Sequence, residues 1–140
     1  MPIVAAVDQS ERAELVVTRA ADLADAYGHD LHIVHVGTLS VGNLATESTQ
    51  DSEDVDEASR AAEEVAREIG QRVQPDRSFD AIGLVGNPAE ELIAYSQECD
   101  AEYIVISGRK KSPVGKALFG SVTQSLLLSA DRPVVTVMPQ

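Results

Sequence analysis

The chain has 140 residues, 44% of them hydrophobic, which suits one folded unit with a real core and leaves little room for a second. Acidic residues outnumber basic ones 23 to 11, a formal net charge of −12, so phosphate-neutralising nucleic-acid binding is disfavoured because the whole surface repels polyanions. No apolar run reaches the roughly 18 residues of a membrane span.

The opening stretch, Ile3-Val4-Ala5-Ala6-Val7, is a short continuous apolar run, as expected of a strand buried on both faces. It reads as part of the fold, because Met1 to Asp8 lacks the basic start and cleavage site of a signal peptide. A cytoplasmic location is the expectation. Ser10 is placed to cap the helix that follows, in which Ala13, Val16, Ala20, Leu23 and Tyr27 form one stripe. Gly28 ends that helix as a C′ glycine. Leu31 to Val36 makes the second strand. His32 and His35 fall on opposite faces of it, so the pair cannot jointly hold a metal.

Residues 37–53 are Gly, Ser, Thr, Asn and acidic side chains without periodicity, a long surface loop. The acidic stretch Glu47 to Glu57 lacks the glycine and ligand spacing of a calcium loop. A helix is expected from Val55 to Arg72, with Ala58, Ala62, Val65 and Ile69 inward, and Pro75-Asp76 breaks it. Phe79 to Val85 reads as the third strand. Asn87-Pro88-Ala89-Glu90 then has the capping asparagine, first-turn proline and following glutamate of a helix start, with Leu92 and Ile93 facing the core. Glu102 to Ile106 is the fourth strand, Ser107 to Lys116 a basic loop, Leu118 to Ala130 the last helix and Pro133 to Val137 the last strand.

Strands alternating with helices predict an α/β fold: a doubly wound, five-stranded parallel sheet with right-handed crossovers and helices on both faces. Ligands of such sheets bind at the carboxyl ends of the strands, where the strand order reverses. The segments that matter are therefore Asp8 to Ser10, Val36 to Leu39, Gly86-Asn87 and Ser107 to Ser121.

These post-strand segments resemble the universal stress protein family, and the resemblance covers the whole chain. Ala5-Ala6-Val7-Asp8-Gln9-Ser10 looks like the family's first strand ending in Asp-x-Ser. Val85 to Ile93 is similar to its Gly-x-Pro turn into the third helix. Leu118-Phe119-Gly120-Ser121-Val122-Thr123 and Arg132-Pro133-Val134 look like its carboxyl third. The resemblance implies the Rossmann-like, adenine nucleotide alpha hydrolase-like fold and a stress-response role. It also implies a site for ATP or AMP, with Mg²⁺ accompanying ATP.

Carried over residue by residue, the implied site is Ala6, Val7 and Asp8 after the first strand, Val36 after the second and Gly86 after the third. Ile106, Ser107, Gly108, Arg109 and Lys110 follow the fourth strand, and Gly120, Ser121 and Val122 open the last helix. Asp8 matches the aspartate that meets the ribose, Val36 the backbone that pairs with adenine, and Ser121 and Val122 the residues at the phosphates. The family's ATP-binding members carry Gly-x2-Gly-x9-Gly-Ser/Thr. Anchored on Gly120-Ser121, the two earlier glycines fall on Ser107 and Lys110, so the motif is incomplete. Ser107 is a mild change, whereas the Lys110 side chain stands where backbone N–H groups would cradle phosphate. Against that, Arg109, Lys110, Lys111 and Lys116 cluster cations beside a helix N-terminus that favours anions. In the family the last strand, here Pro133 to Val137, pairs with its copy in a second subunit, which would cover an apolar edge.

No catalytic arrangement stands out: Ser10 and Ser121 lack a nucleophile elbow, and no Gly-x4-Gly-Lys-Ser/Thr occurs. Three readings stay open: a nucleotide-responsive dimer, a dimeric scaffold that binds no nucleotide, and a weak ATPase. The lone Cys99 excludes an intramolecular disulfide and, with no basic neighbour, reads as structural. The dispersed acidic excess, with abundant Ala and Val, points to a salt-adapted, for instance haloarchaeal, source, since at about 1 M salt the Debye length falls to about 3 Å and self-repulsion is screened.

Overall fold

The computed structural model describes residues 1–38, 52–109 and 119–139. Five strands form one parallel sheet in the order β3-β2-β1-β4-β5: β1 Ile3–Ala6, β2 Leu31–Gly37, β3 Asp80–Val85, β4 Tyr103–Ser107 and β5 Val134–Val137. Helices α1 Arg12–Tyr27, α2 Ser52–Val73, α3 Pro88–Glu98 and α4 Ser121–Ser129 make the crossovers. This is the expected doubly wound architecture. The strand order reverses between β1 and β4, and there the carboxyl ends open a crevice.

Side-chain alternation along β1 divides the core. Ile3, Ala5 and Val7 pack with Val16, Val17 and Ala20 of α1 and with Ala66 and Ile69 of α2. Val4 and Ala6 point the other way, onto Leu92 of α3 and Leu126 of α4. Ile3, Val4, Ile33, Ile104 and Val105 are fully buried, each contributing about 1.5–3 kcal/mol by leaving water. Burial on both faces is why the strands read as unbroken apolar runs.

Several element ends differ from expectation for local reasons. Gly37 extends β2 and Ser52 already begins α2, so the intervening loop shortens at both ends; its residues 39–51 lie outside the described residues. The polar first turn of α2 hid its start. The described part of the last helix begins at Ser121, and residues 110–118, including Lys110, Lys111, Gly115, Lys116 and Leu118, also lie outside the described residues. Ser10 sits one residue before the α1 cap position, held by Glu11, yet its hydroxyl still accepts from Arg12 N at 3.2 Å. Tyr27 does not join the buried stripe: it is 55% exposed, because the last turn of α1 carries it to Tyr103, where the ring centroids stand 5.8 Å apart. Gly28 ends α1 as expected, left-handed at φ 68° with its N–H on Ala24 O. Asn87 caps α3 by accepting from Glu90 N at 3.1 Å, with Pro88 in the first turn.

Gly83 is fixed by packing. A Cβ there would lie 2.1 Å from Ser59 O and 2.3 Å from Glu63 N, so only glycine lets α2 lie this close to β3.

Candidate functional site

A cavity of about 200 Å³ opens at the carboxyl ends of β1 and β4. The expected site residues Ala6, Val7, Asp8, Val36, Ile106, Ser107, Arg109, Gly120, Ser121 and Val122 all line it. The fold thus gathers into one crevice segments that lie more than a hundred residues apart in the chain. Gly86 and Gly108 stand outside its lining, and Lys110 lies outside the described residues. Gly86 serves a backbone role: φ is 139°, and its N–H donates to Gly37 O at 3.1 Å, joining the ends of β2 and β3. At Gly108 a Cβ would come within 2.3 Å of Met138 Sδ, so that glycine lets the chain pass the end of β5.

Asp8 stands where β1 gives way to α1. Its Oδ1 accepts from the Ser10 N–H at 3.0 Å and from the Ser10 hydroxyl, and Arg12 Nη2 lies 3.7 Å from Oδ2. Partial burial pushes the carboxyl upward, but the Ser10 donors and the Arg12 guanidinium outweigh it and hold Asp8 below the ordinary carboxylate value. Asp8 is therefore an ionised acceptor in the wall of the crevice.

The opposite wall is built from donors. The N–H groups of Ser121, Val122 and Thr123 lie in the first turn of α4, where no helical carbonyl precedes them. The buried Thr123 hydroxyl donates to Ser107 O at 2.9 Å and anchors this turn to the end of β4. Arg109 leaves β4 beside it, so close that a Cβ on Gly120 would lie 3.2 Å from Arg109 Nε. A helix start and a guanidinium converge on one point, which suits an anion. Between the two walls, Val16, Val34 and Leu92 supply apolar surface.

Sequence reasoning missed Arg12, Thr123 and His35 as wall residues. Arg12 had a visible signal in its place four residues after Asp8. Thr123 and His35 matter through partners on other strands, which no local pattern reveals. His35 Nδ1 lies 2.9 Å from Val7 O, across the sheet from its own strand.

Away from the crevice, burial first, with a smaller like-charge effect from Glu98, pushes the Cys99 thiol up, and its Sγ lies 3.9 Å from Ser96 O, as suits a structural cysteine. Among the described residues no group of three or more His, Cys, Asp or Glu side chains could hold a metal, and no helix is long and apolar enough to cross a membrane.

Fold and crevice together define a doubly wound α/β protein with an open crevice at its topological switch point. The universal stress protein family model matches residues 1–138, and the chain belongs to that family. It is 33% identical to a universal stress protein of Archaeoglobus fulgidus whose solved structure it covers at 97%, over 97% of its own length, with a TM-score of 0.69. A second structure from that organism, a universal stress protein in complex with dAMP, is 30% identical with a TM-score of 0.64, covering 97% of this chain and 96% of that one. A universal stress protein of Mycolicibacterium smegmatis is 50% identical over 50 residues, which span 36% of this chain and 38% of that protein.

Proposed function

We propose that the protein is a single-domain, homodimeric stress-response module that binds an adenine nucleotide, ATP or AMP, and works through binding instead of catalysis. The observation that carries this reading is the polarity of the crevice: an ionised Asp8 on one wall, and the α4 N-terminus with Arg109 on the other. A nucleotide has the matching order, ribose hydroxyls that donate to carboxylate and phosphates that accept from N–H and guanidinium. A similar protein solved with dAMP supports the same ligand class. About 200 Å³ is less than a whole drug-sized ligand usually fills, so the base and sugar would enter and the phosphates would lie along α4. Asp8 is the acidic residue among the described lining, so Mg²⁺ would arrive on ATP and not on a cage of carboxylates.

The edge of β5 supports the dimer. Pro133 O and Val137 O accept from Ile104 N and Gly108 N of the β4 segment, so the backbone groups of Val134 and Thr136 turn outward. An apolar edge with its donors outward is a template for a second copy. The dispersed negative charge fits a salt-adapted, cytoplasmic setting.

A second reading, a dimeric scaffold without nucleotide, is favoured by Ser107 and Lys110 in place of the family's glycines. Calorimetric titration with ATP and AMP, with and without Mg²⁺, in molar KCl, separates the two. Saturable binding of one nucleotide per chain is expected. No heat up to millimolar nucleotide, from a folded dimer, would put the scaffold reading first. Phosphate release that disappears in Ser121→Ala would instead indicate a weak ATPase.

A further inference from the structure

At one place in the crevice wall a charge runs against a helix dipole. Arg12 is the first residue of α1, where the dipole is positive and a cation is unfavourable. Its surroundings offset this poorly. Among the described residues the guanidinium makes no hydrogen bond, and its ion-pair partner Asp8 lies 3.7 Å away. Yet the side chain is held in: 29% of it is exposed, and it lines the cavity. Ser10 fixes the backbone beneath it, since the Ser10 hydroxyl accepts from Arg12 N at 3.2 Å and donates to Asp8. Five N–H donors thus stand in the wall with one loosely placed carboxylate for company. A residue that breaks a local rule without an internal partner marks a functional place. Arg109 stands on the other wall, against Gly120 at the start of α4. The described lining therefore sets two guanidiniums against one carboxylate, in a chain of net charge −12. A single phosphate held at α4 engages Arg109 and leaves Arg12 unanswered.

We infer that Arg12 is a specificity-determining residue that receives a second phosphate, carried on the ribose, so that the crevice selects an adenosine 2′,5′- or 3′,5′-bisphosphate over a nucleotide with a plain sugar. The inference rests on the nucleotide reading above. With the 5′-phosphate at the start of α4 and the ribose against Asp8, that carboxylate accepts from the one free ribose hydroxyl. The vicinal ribose oxygen then falls beside Arg12, the neighbour of Asp8. A plain ribose offers Arg12 a neutral hydroxyl there, whereas a phosphate offers charged acceptors that fit the guanidinium fork. The Asp8 charge does not bar it, because Oδ1 already takes two donors from Ser10 and Arg12 stands beside Oδ2. Dinucleotide sites divide the work in the same way, a carboxylate for a free ribose hydroxyl and an arginine for a ribose phosphate.

The test titrates the whole chain, wild type and Arg12→Gln, calorimetrically with AMP, adenosine 2′,5′-bisphosphate and adenosine 3′,5′-bisphosphate. The wild type binds at least one bisphosphate about tenfold or more tightly than AMP. Arg12→Gln loses that preference and keeps its AMP affinity within about threefold of wild type. No gain from either bisphosphate over AMP in the wild type overturns the inference and leaves the nucleotide reading standing. A preference that survives in Arg12→Gln overturns the role of Arg12. If the wild type binds none of the three, the nucleotide reading and this inference fall together. Urea unfolding adds a readout that needs no ligand. Because Arg12 opposes the α1 dipole and pairs loosely, Arg12→Gln leaves the unfolding equilibrium constant within about threefold of wild type. A rise of about tenfold or more makes Arg12 a structural partner of Asp8 and overturns the inference.

Discussion

The Tyr95 hydroxyl of α3 lies 2.7 Å from Nδ1 of His32 on β2, while His32 Nε2 lies 3.1 Å from the Asp80 carboxylate at the start of β3. One ring thus ties a helix to two strands. Burial first, then the neighbouring Cys99, Asp80 and Glu98 charges, push the Tyr95 phenol up to about 12. A phenol whose folded value is raised stabilises fully below about pH 10, the ordinary value, and loses that stability as pH rises through about 12. Tyr95→Phe should lower stability near neutral pH by about 1 kcal/mol and flatten the alkaline limb of the unfolding profile. Chemical denaturation at stepped pH measures both, and an unchanged alkaline limb would remove the assignment.

Asp8 gives the opposite sign. Its carboxyl is held below the ordinary value, so its contribution is present above that value and is lost as pH falls through the lowered one. Asp8→Asn should weaken nucleotide binding by about tenfold or more near neutral pH. Wild-type affinity should persist to lower pH than an ordinary carboxylate allows. Calorimetry from pH 7 downward reads both effects.

Gly83→Ala should be severe. The new methyl would meet backbone of α2 on two sides, at 2.1 and 2.3 Å, so no rotamer change relieves it. A loss of about 3 kcal/mol or more is expected, as a lower midpoint in urea unfolding. A loss under about 0.5 kcal/mol would mean that α2 slides freely over β3.

Thr136→Pro tests the dimer edge. Thr136 turns its N–H away from β4, so a proline there spares the internal ladder and deletes an outward donor. Sedimentation should show the wild type as a dimer and the variant shifted toward monomer, with the fold retained by circular dichroism. A variant that stays fully dimeric places the interface elsewhere.

Much of the fold was legible because both faces of the sheet are covered. Ile3 to Ala6 and Tyr103 to Ile106 could be read as strands from uninterrupted apolar runs, with Val7 falling just beyond β1, and Asn87-Pro88 and Gly28 as helix punctuation. Tyr27 was misplaced because helical periodicity says nothing of where a helix outruns its sheet. Site residues that directly follow strands were legible for the same topological reason that ligands bind there. Thr123 and His35 were not: each acts on a carbonyl of another element, Ser107 O and Val7 O, and such pairings exist only once the strands are side by side.

At Gly83 the sheet and α2 meet backbone to backbone, with no side chain between them. Where side chains fill a seam, volume can be traded across it, one residue shrinking as its neighbour grows. Here there is nothing to trade, so a bulkier residue could not be rescued by trimming a neighbour, and the spacing between β3 and α2 is set by a single hydrogen atom.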